Sequence, residues 1–207
     1  MQVDATTKLF GFLHRGGAFA HWWTPDSGKF FTNKKTGAQE QAKFSLWFPV
    51  DRPLPVPAAW REKNIYFCVH PQSSIPQRLR ADGSVTDQKY VKAWLSHVAA
   101  INCLFGEFDV KDYGSKEKIS AHLHTLSLYP SVIVDSGGGF HCYWLLANTV
   151  TVTDDNRVHI KRLQYAWVKL VGSDDDAKDL ARVLRVPGTL NRKEKYAPNY
   201  PIVTIIE

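Results

Sequence analysis

The chain has 207 residues, of which 44% are hydrophobic, 13% aromatic and 22% charged. This length and composition suit a compact domain and exclude a disordered or fibrous chain. Its 26 Lys and Arg against 20 Asp and Glu give a net charge of +6, which is compatible with a polyanionic partner. No apolar run approaches the roughly 20 residues of a membrane-spanning helix, and residues 1–17 lack the features of a signal peptide.

The cysteines stand singly in apolar surroundings, at Cys68, Cys103 and Cys142. Their spacing argues against a disulfide framework or a cysteine-rich zinc site, and it fits a reducing compartment. We therefore expect a cytoplasmic protein with no membrane segment.

The N-terminal part, through Lys43, is predicted to form strands and turns. Its tryptophans are interpreted as core residues, with base stacking as the alternative. The proline-rich stretch Pro49–Pro57 predicts a boundary between residues 1–57 and a main body of residues 58–207. The whole is interpreted as one compact domain, with excision from a longer protein as an open alternative.

From residue 64 the pattern becomes sharper. Residues 64–69 are an apolar run typical of a buried strand. Residues 87–101 place apolar side chains at helical spacing, and residues 104–110 alternate as in a strand. Residues 115–128 predict another helix.

The C-terminal half continues with a predicted hairpin over residues 131–146, with its turn at Ser136–Gly139. Asp154 or Asp155 is predicted to cap a helix that buries one stripe of side chains: Val158, Leu163, Ala166, Trp167 and Leu170. Residues 200–206 predict a last strand. The order of elements indicates an α+β fold with antiparallel hairpins.

The strongest chemical feature is the pair Glu107 and Asp109 on the strand of residues 104–110. Side chains two apart on a strand project from one face, about 7 Å apart at Cα. Carboxylates this close repel each other unless a cation or a proton lies between them, and Mg²⁺ or Mn²⁺ is bound by such oxygen ligands. Lys111 follows and can reach a phosphate. A solvent-facing pair on an edge strand is the alternative.

The second feature is the glycine turn Ser136–Gly139, composed of Ser136, Gly137, Gly138 and Gly139, with His141 directly after it. Glycines let a backbone approach a ligand closely, and the N–H groups of such a turn can bind an anion. On the predicted strand His141 points away from the side of Phe140 and Cys142. A plain hairpin turn followed by a satisfied core histidine is the alternative.

The third feature is an acidic cluster followed by basic residues. Asp174 and Asp176 precede a predicted helix that Asp179 caps and Pro187 ends. Arg182 and Arg185 lie three apart on one side of that helix, a spacing that suits paired phosphate contacts. A capped helix with a solvated charged face is the alternative.

The pair His122 and His124 has the His-hydrophobic-His spacing of nicking endonucleases. Those enzymes bind a metal from a strand, whereas this segment is predicted to be a helix, on which neighbours two apart diverge by about 200°. We therefore interpret both as histidines on a helix surface.

Together, in order and spacing, the three features resemble the archaeo-eukaryotic primase superfamily, in particular the primase-polymerase domains of plasmids, phages and mobile elements. Glu107-Phe108-Asp109 matches the first motif with Glu in place of a leading Asp, and Ser136 through His141 matches the second. The third motif, G-x-D…D-x-x-R-x-x-R-x-P-G-T-x-N-x-K, is matched at every named position, from Gly172 to Lys193.

The resemblance implies a modified RNA-recognition-like catalytic sheet with an N-terminal α/β lobe. It also implies a DNA primase/polymerase that transfers nucleotides from dNTPs or NTPs to a 3′-hydroxyl, with two divalent ions, Mg²⁺ or Mn²⁺. The expected partners are single-stranded or primer-template DNA and a helicase or helical accessory domain. A catalytically silent nucleic-acid-binding module of the same fold is the rival interpretation, and a nicking endonuclease is a weaker one.

The resemblance also implies roles for the site residues. Glu107, Asp109 and Asp174 are the expected metal ligands and catalytic residues, with Asp179 as the alternative third ligand and Asp176 also open. His141 is expected to act in catalysis and in phosphate binding. The other expected nucleotide-binding residues are Lys111, Ser136, Gly137, Gly138, Gly139, Arg182, Arg185, Asn191 and Lys193.

Overall fold

The computed structural model describes residues 2–26, 28–33, 36–52 and 56–207, without the side chains of residues 2–4. Its helices are α1 (Gln2–Leu13), α2 (Val110–Tyr113), α3 (Lys116–Thr125) and α4 (Asp154–Val171). Its strands are β1 (Phe19–Thr24), β2 (Phe30–Thr32), β3 (Gln39–Gln41), β4 (Phe44–Pro49), β5 (Tyr66–Cys68), β6 (Ala100–Asp109), β7 (Val132–Asp135), β8 (Gly139–Thr151), β9 (Val183–Arg185) and β10 (Thr204–Ile205).

Two four-stranded antiparallel sheets form the body of the molecule. The first has the order β4-β1-β5-β9 and the second the order β10-β7-β8-β6. The expected α+β fold with antiparallel hairpins is therefore confirmed. Strands from both sides of Pro49–Pro57 share the first sheet, and residues 53–55 of that stretch lie outside the described residues.

The main core lies between the two sheets. Trp22 and Phe67 of the first sheet pack with Phe105 and Tyr143 of the second, and α1 contributes Leu13. Alternation along β6 and β8 places Phe105, Tyr143, Glu107 and His141 on one face. The face of the second sheet that packs in the main core is therefore the same face on which Glu107 and His141 lie, at the end of β6.

The opposite face of the second sheet packs under α3 and the end of α4. Phe108, Phe140, Cys142 and Trp144 form this second core cluster with Ile119 and Leu123 of α3 and Val171 of α4. The predicted apolar face of residues 104–110 is thus buried up to Phe108. Val110 departs from the prediction, since it begins α2.

The helix predicted over residues 115–128 is confirmed as α3, with Ser115 as its N-cap. His122 and His124 therefore lie on a helix, as expected. His122 Nε2 lies 2.8 Å from the carbonyl oxygen of Val171, so this histidine ties α3 to the end of α4.

The helix predicted over residues 87–101 is wrong. This segment forms two short 3-10 turns, Gln88–Tyr90 and Leu95–His97, and then enters β6. Its backbone groups are satisfied from outside: the N–H of Ala99 donates to Pro71 O and that of Ser73 to His97 O. These tertiary bonds replace the helical ones that the spacing of apolar residues had indicated.

Residues 179–186 are likewise not a helix. Asp179 follows a 3-10 turn, Asp175–Lys178, and residues 183–185 form β9, which pairs with β5 at the edge of the first sheet. This segment pairs with the edge of β5 that β1 leaves open, and its β-branched Val183 favours a strand. Arg182 and Arg185 therefore do not share a helix side.

The stripe predicted for α4 is wrong except at Trp167, which packs against Trp144. The N-cap is Thr153 rather than Asp154 or Asp155, and the buried residues are Ile160, Gln164, Val168 and Val171. Val158, Leu163 and Leu170 are exposed by 58%, 43% and 72%. A polar residue decides the face: the Gln164 amide donates to Phe105 O and Ala177 O and accepts the N–H of Phe105.

The N-terminal residues were predicted as strands and turns, and α1 was missed. Gly11 within α1 weakens a helical pattern, although Leu9, Phe10 and Leu13 bury one side of it. The strand prediction, which ended at Lys43, is confirmed by β1, β2 and β3. Trp22 is a core residue, as expected, and Trp23 is only half-buried.

The predicted C-terminal strand over residues 200–206 is reduced to β10, which pairs with β7, and a bridge between Leu190 and Ile202. In the described residues no helix is long and apolar enough to cross a bilayer.

Candidate active site

The site begins at the end of β6, where it pairs with β8. Glu107 is directly opposite His141 and Asp109 is opposite Gly139. Directly paired residues project from the same face of a sheet, so both carboxylates and the imidazole point away from the α3 side. This face opens into a cavity of about 300 Å³ that all three side chains line.

A third carboxylate, that of Asp174, reaches the same cavity from the loop after α4. The helix ends at Gly172, which adopts the left-handed conformation (φ 71°). Ser173 Oγ then accepts the N–H of Glu107 at 2.8 Å, and the N–H of Asp174 donates to Glu107 O at 2.9 Å. A Cβ on Gly106 would lie 3.0 Å from Ser173, so the glycine allows this close approach.

Two cationic side chains form ion pairs with the three carboxylates. Arg182 Nε donates to Glu107 Oε1 at 2.5 Å. Lys111 Nζ lies 3.4 Å from Asp174 Oδ2 and 3.7 Å from Asp109 Oδ2. The ammonium group therefore occupies the space between two carboxylates where a shared cation is electrostatically favoured.

The pKa values of two of these carboxylates are shifted in opposite directions. Burial raises the pKa of Glu107, the bond from Arg182 opposes this rise, and the charges of Asp174 and Asp109 add to it. The pKa of Asp174 is lowered, chiefly because the N–H of Asp176 donates to its carboxylate and also because Lys111 is near. An additional cation at this cluster would stabilise the charged form of Glu107.

Basic and polar groups form the other wall of the cavity. Arg185 Nη1 donates to Asn64 Oδ1 at 2.8 Å, and its guanidinium lies 4.8 Å from the centre of the Tyr66 ring. Lys193 and Asn191 line the same wall. Burial lowers the pKa of His141 to about 3, and the charges of Arg185, Arg182 and Lys193 lower it further, so its imidazole is neutral at pH 7.

Two buried nitrogens of this wall have no hydrogen-bond partner among the described residues: Arg185 Nη2 and His141 Nδ1. Both residues are more than nine-tenths buried. Because an unpaired buried donor costs about 1–3 kcal/mol, a ligand with acceptor oxygens, such as a phosphate, is the partner that this wall suits.

Two N–H groups of the glycine turn are paired within the turn itself. The Ser136 N–H donates to Gly139 O, and the Gly137 N–H donates to the Asp135 carboxylate. Those two amides are thus used within the turn. Ser136 and Gly138 line the cavity, whereas Gly137 and Gly139 supply positive φ angles of 86° and 154°.

The remaining acidic candidates separate in space. Asp176 lines the main cavity, whereas Asp179 lines a smaller neighbouring cavity and accepts the N–H of Ala181. In the ranges that the structure describes, no three His, Cys, Asp or Glu side chains are grouped closely enough to hold one metal ion. The donors nevertheless fit Mg²⁺ or Mn²⁺ in kind, since all three carboxylates are oxygen ligands, and two of them, those of Asp109 and Asp174, flank Lys111 Nζ.

The chain also matches a known protein family in sequence. The model of the family described as "RepB DNA-primase N-terminal domain" matches residues 74–204, more than half of the chain. The chain belongs to this DNA-primase family. The predicted resemblance to primases is thereby confirmed.

One curated relative of this RepB-type domain is a protein named "Replication protein" from Clostridium perfringens. It is 27% identical over 111 residues, which are 51% of this chain and 27% of that protein. The match thus covers only about a quarter of the relative's length.

The fold is shared with one solved primase-polymerase domain. The archaeo-eukaryotic primase domain of the cyanophage S-2L primase-polymerase superposes with a TM-score of 0.59 at 15% identity, over 100% of this chain and 88% of that one. The catalytic domain of primase Repb', solved with initiator DNA, gives a TM-score of 0.46 at 13% identity, over 98% and 84% of the two chains. The first likeness confirms the expected primase fold.

Two residues that line or support the cavity were not predicted from the sequence. Tyr66 lines the cavity under Arg185, and Asn64 accepts from both Arg185 Nη1 and the N–H of Arg192. Both lie in the run 64–69 that was interpreted only as a buried strand. The sequence signal that could have indicated a role in the site is the polar residue Asn64 at the start of this apolar run.

Proposed function

We propose that this domain catalyses template-directed nucleotidyl transfer: the 3′-oxygen of a primer strand or of a first nucleotide attacks the α-phosphorus of a dNTP or NTP. The 3′-hydroxyl gives up its proton to water, and its oxygen bonds to the α-phosphorus. The bond from the α-phosphorus to the oxygen that bridges the α- and β-phosphates breaks, and pyrophosphate leaves with that electron pair. The observation that carries this proposal is that Glu107, Asp109 and Asp174 line one cavity with His141, Arg185 and Lys193.

Glu107, Asp109 and Asp174 would hold Mg²⁺ or Mn²⁺. When bound, such a pair of ions lowers the pKa of the attacking hydroxyl and stabilises charge on the leaving group. Ser173 fixes the distance between two of the ligands by its bonds to the Glu107 backbone. Lys111, whose side chain is 64% exposed, is free to turn from the carboxylates towards a phosphate.

The basic wall would bind the triphosphate. Arg185 is held by Asn64 and lies against Tyr66, so its guanidinium is oriented before a ligand arrives. The neutral imidazole of His141 can donate one hydrogen bond, and Lys193 supplies charge. Arg182 would neutralise either Glu107 or the incoming phosphates, and Asn191 holds the glycine turn by donating to Ser136 O at 2.7 Å.

The rival functions are less well supported. A silent DNA-binding module gains nothing from three carboxylates in a basic cavity, because they repel the phosphate backbone that it must hold. A nicking endonuclease would need His122 and His124 on a strand, and both lie on α3.

A gel assay tests the proposal. The template is single-stranded DNA, with or without a labelled primer, and the reaction contains dNTPs or NTPs with Mg²⁺ or Mn²⁺. We expect extension by the unaltered chain and none by Asp109→Ala, while Asp154→Ala, at a fully exposed side chain, extends normally. Products without a primer would establish priming as well. Extension that survives in Asp109→Ala would refute the assigned ligand set.

A further inference from the structure

The first sheet presents an aromatic and basic surface beside the catalytic cavity. We define this surface, the aromatic face, as Trp23, Trp47, Tyr66, Lys43 and Lys92. Across the strands, Trp47 is paired with His21, Trp23 with Tyr66, and Tyr66 with Arg185. The alternate residues Trp22, Phe67 and Leu184 are buried in the main core, so the two sides of this sheet are chemically distinct.

The rings of the aromatic face lie close together. The Trp23 and Tyr66 centroids are 5.2 Å apart, and those of His21 and Trp47 are 4.5 Å apart. All three large rings are only half-buried. On the same face Ser45, His21 and Arg185 are buried, so the accessible part consists of the Trp23 and Tyr66 rings on neighbouring strands and the Trp47 ring on β4.

Two ammonium groups converge on one indole. Lys92 Nζ and Lys43 Nζ lie 5.0 Å and 5.6 Å from the centre of the Trp23 ring, and both side chains are exposed. Burial lowers the pKa of Lys92 and the charge of Lys43 lowers it further, so the two cations repel each other. A negatively charged ligand over Trp23 would relieve this repulsion.

The aromatic face is continuous with the catalytic cavity. Trp23 and Lys92 line a cavity of about 190 Å³ together with Asp179, and this cavity shares Arg182 and Val183 with the larger one. Tyr66 belongs to both the aromatic face and the catalytic cavity. A chain bound along the face would therefore be led towards Arg185 and the carboxylates.

We infer that the aromatic face binds single-stranded DNA, stacking unpaired template bases on Trp23 and Trp47 and placing phosphates at Lys43 and Lys92. Stacking surfaces beside positive charge are what a single strand requires, because every base has a π-face and every nucleotide a phosphate. The inference rests on the proposed function, because it takes the bound strand to be the template that enters the catalytic cavity.

The test measures DNA binding alone, without nucleotide or metal, by fluorescence anisotropy of a labelled single-stranded oligonucleotide at several salt concentrations. We expect Trp23→Ala to weaken binding by about tenfold and Trp23→Phe to restore most of it. Lys43→Ala with Lys92→Ala should reduce the magnitude of the slope of log K against log salt by about 1.4. The charge-matched control is Lys161→Ala with Arg162→Ala, on the exposed side of α4, which should leave the slope unchanged.

The proposal fails if Trp23→Ala and the double lysine variant, both folded by circular dichroism, bind within twofold of the unaltered chain and with the same salt slope. It also fails if Trp23→Ala raises only the KM for the incoming nucleotide, or if duplex DNA binds as tightly and loses as much in the variants. Asp109→Ala separates this result from the proposed function, because it should abolish extension and leave strand binding intact.

Discussion

The N–H of Asp174 donates to the carbonyl oxygen of Glu107 at 2.9 Å, which ties two carboxylates from distant parts of the chain together through their backbones. Ser173 completes the link, since its hydroxyl accepts the N–H of Glu107 and lies 3.1 Å from Glu107 O. The spacing of the two acidic side chains is therefore set by main-chain bonds.

Ser173→Ala should test this link. The change removes the acceptor of the Glu107 N–H, and loss of a partner for a buried polar group costs about 1–3 kcal/mol. We expect the free energy of unfolding in urea to fall by that amount and primer extension to slow. Ser73→Ala removes an exposed hydroxyl that donates only to His97 O at 3.3 Å and should leave both quantities unchanged. Equal effects of the two changes would contradict a special role for Ser173.

The third metal ligand can be identified by comparing two variants. Asp174 shares the cavity and the cation Lys111 with Asp109, whereas Asp179 lies in the neighbouring cavity. We expect Asp174→Asn to lower the extension rate by at least about a hundredfold and Asp179→Asn to lower it less than tenfold. Calorimetric titration with Mn²⁺ provides a second readout, since only Asp174→Asn should weaken metal binding. The reverse order would restore Asp179 as the ligand.

The parts of this site that could be predicted from the sequence are those set by local periodicity. Alternation on β6 places Glu107 and Asp109 on one face whatever surrounds the strand, and the hairpin of β7 and β8 follows from glycines between two apolar runs. The α3 helix has a serine cap and a regular apolar spacing. These signals depend only on near neighbours in the chain.

The parts that could not be predicted depend on distant contacts. Residues 183–185 become β9 because β5 has a free edge, and residues 87–101 lose their helix to bonds with residues 71–73. The buried face of α4 includes the polar residue Gln164, because the side-chain amide of Gln164 hydrogen-bonds the N–H and the carbonyl oxygen of Phe105. The bond from Arg182 to Glu107 was likewise not predicted, because it depends on the position of the segment before β9.

Gly139 should be intolerant of any side chain. Its φ is 154°, and a Cβ there would lie 2.0 Å from Phe108 O on the paired strand β6. We expect Gly139→Ala to lower the free energy of unfolding by more than about 3 kcal/mol, because β6 and β8 would have to separate next to Asp109. Gly11→Ala is the matched control: a Cβ there meets nothing within 4 Å, and alanine within a helix stabilises by about 0.5–1 kcal/mol. Thermal or urea unfolding of both variants checks the opposite signs.

Acid should destabilise the fold through its buried histidines. Burial lowers the pKa of His14 to about 4 and those of His21, His70 and His141 to about 3. Below the unfolded value of 6.5 the unfolded chain binds protons that the folded chain refuses, so stability is lost as the pH falls from 6.5 towards 4. For each such histidine, the free energy of unfolding should fall by about 1.4 kcal/mol when the pH is lowered from 7.5 to 5.5. Glu107 has the opposite effect, because its raised pKa means that the folded chain takes up a proton there more readily than the unfolded chain. It is one group against four histidines.

His70→Leu isolates one of these contributions. Neither ring nitrogen of His70 has a hydrogen-bond partner among the described residues, so the change removes buried polar atoms without breaking a bond and should preserve stability at pH 7.5. The difference in unfolding free energy between pH 7.5 and pH 5.5 should shrink by about 1.4 kcal/mol, measured by urea denaturation. His159→Gln, at an exposed position of α4, is the control. An unchanged pH difference in His70→Leu would show that this histidine is protonated in the folded chain.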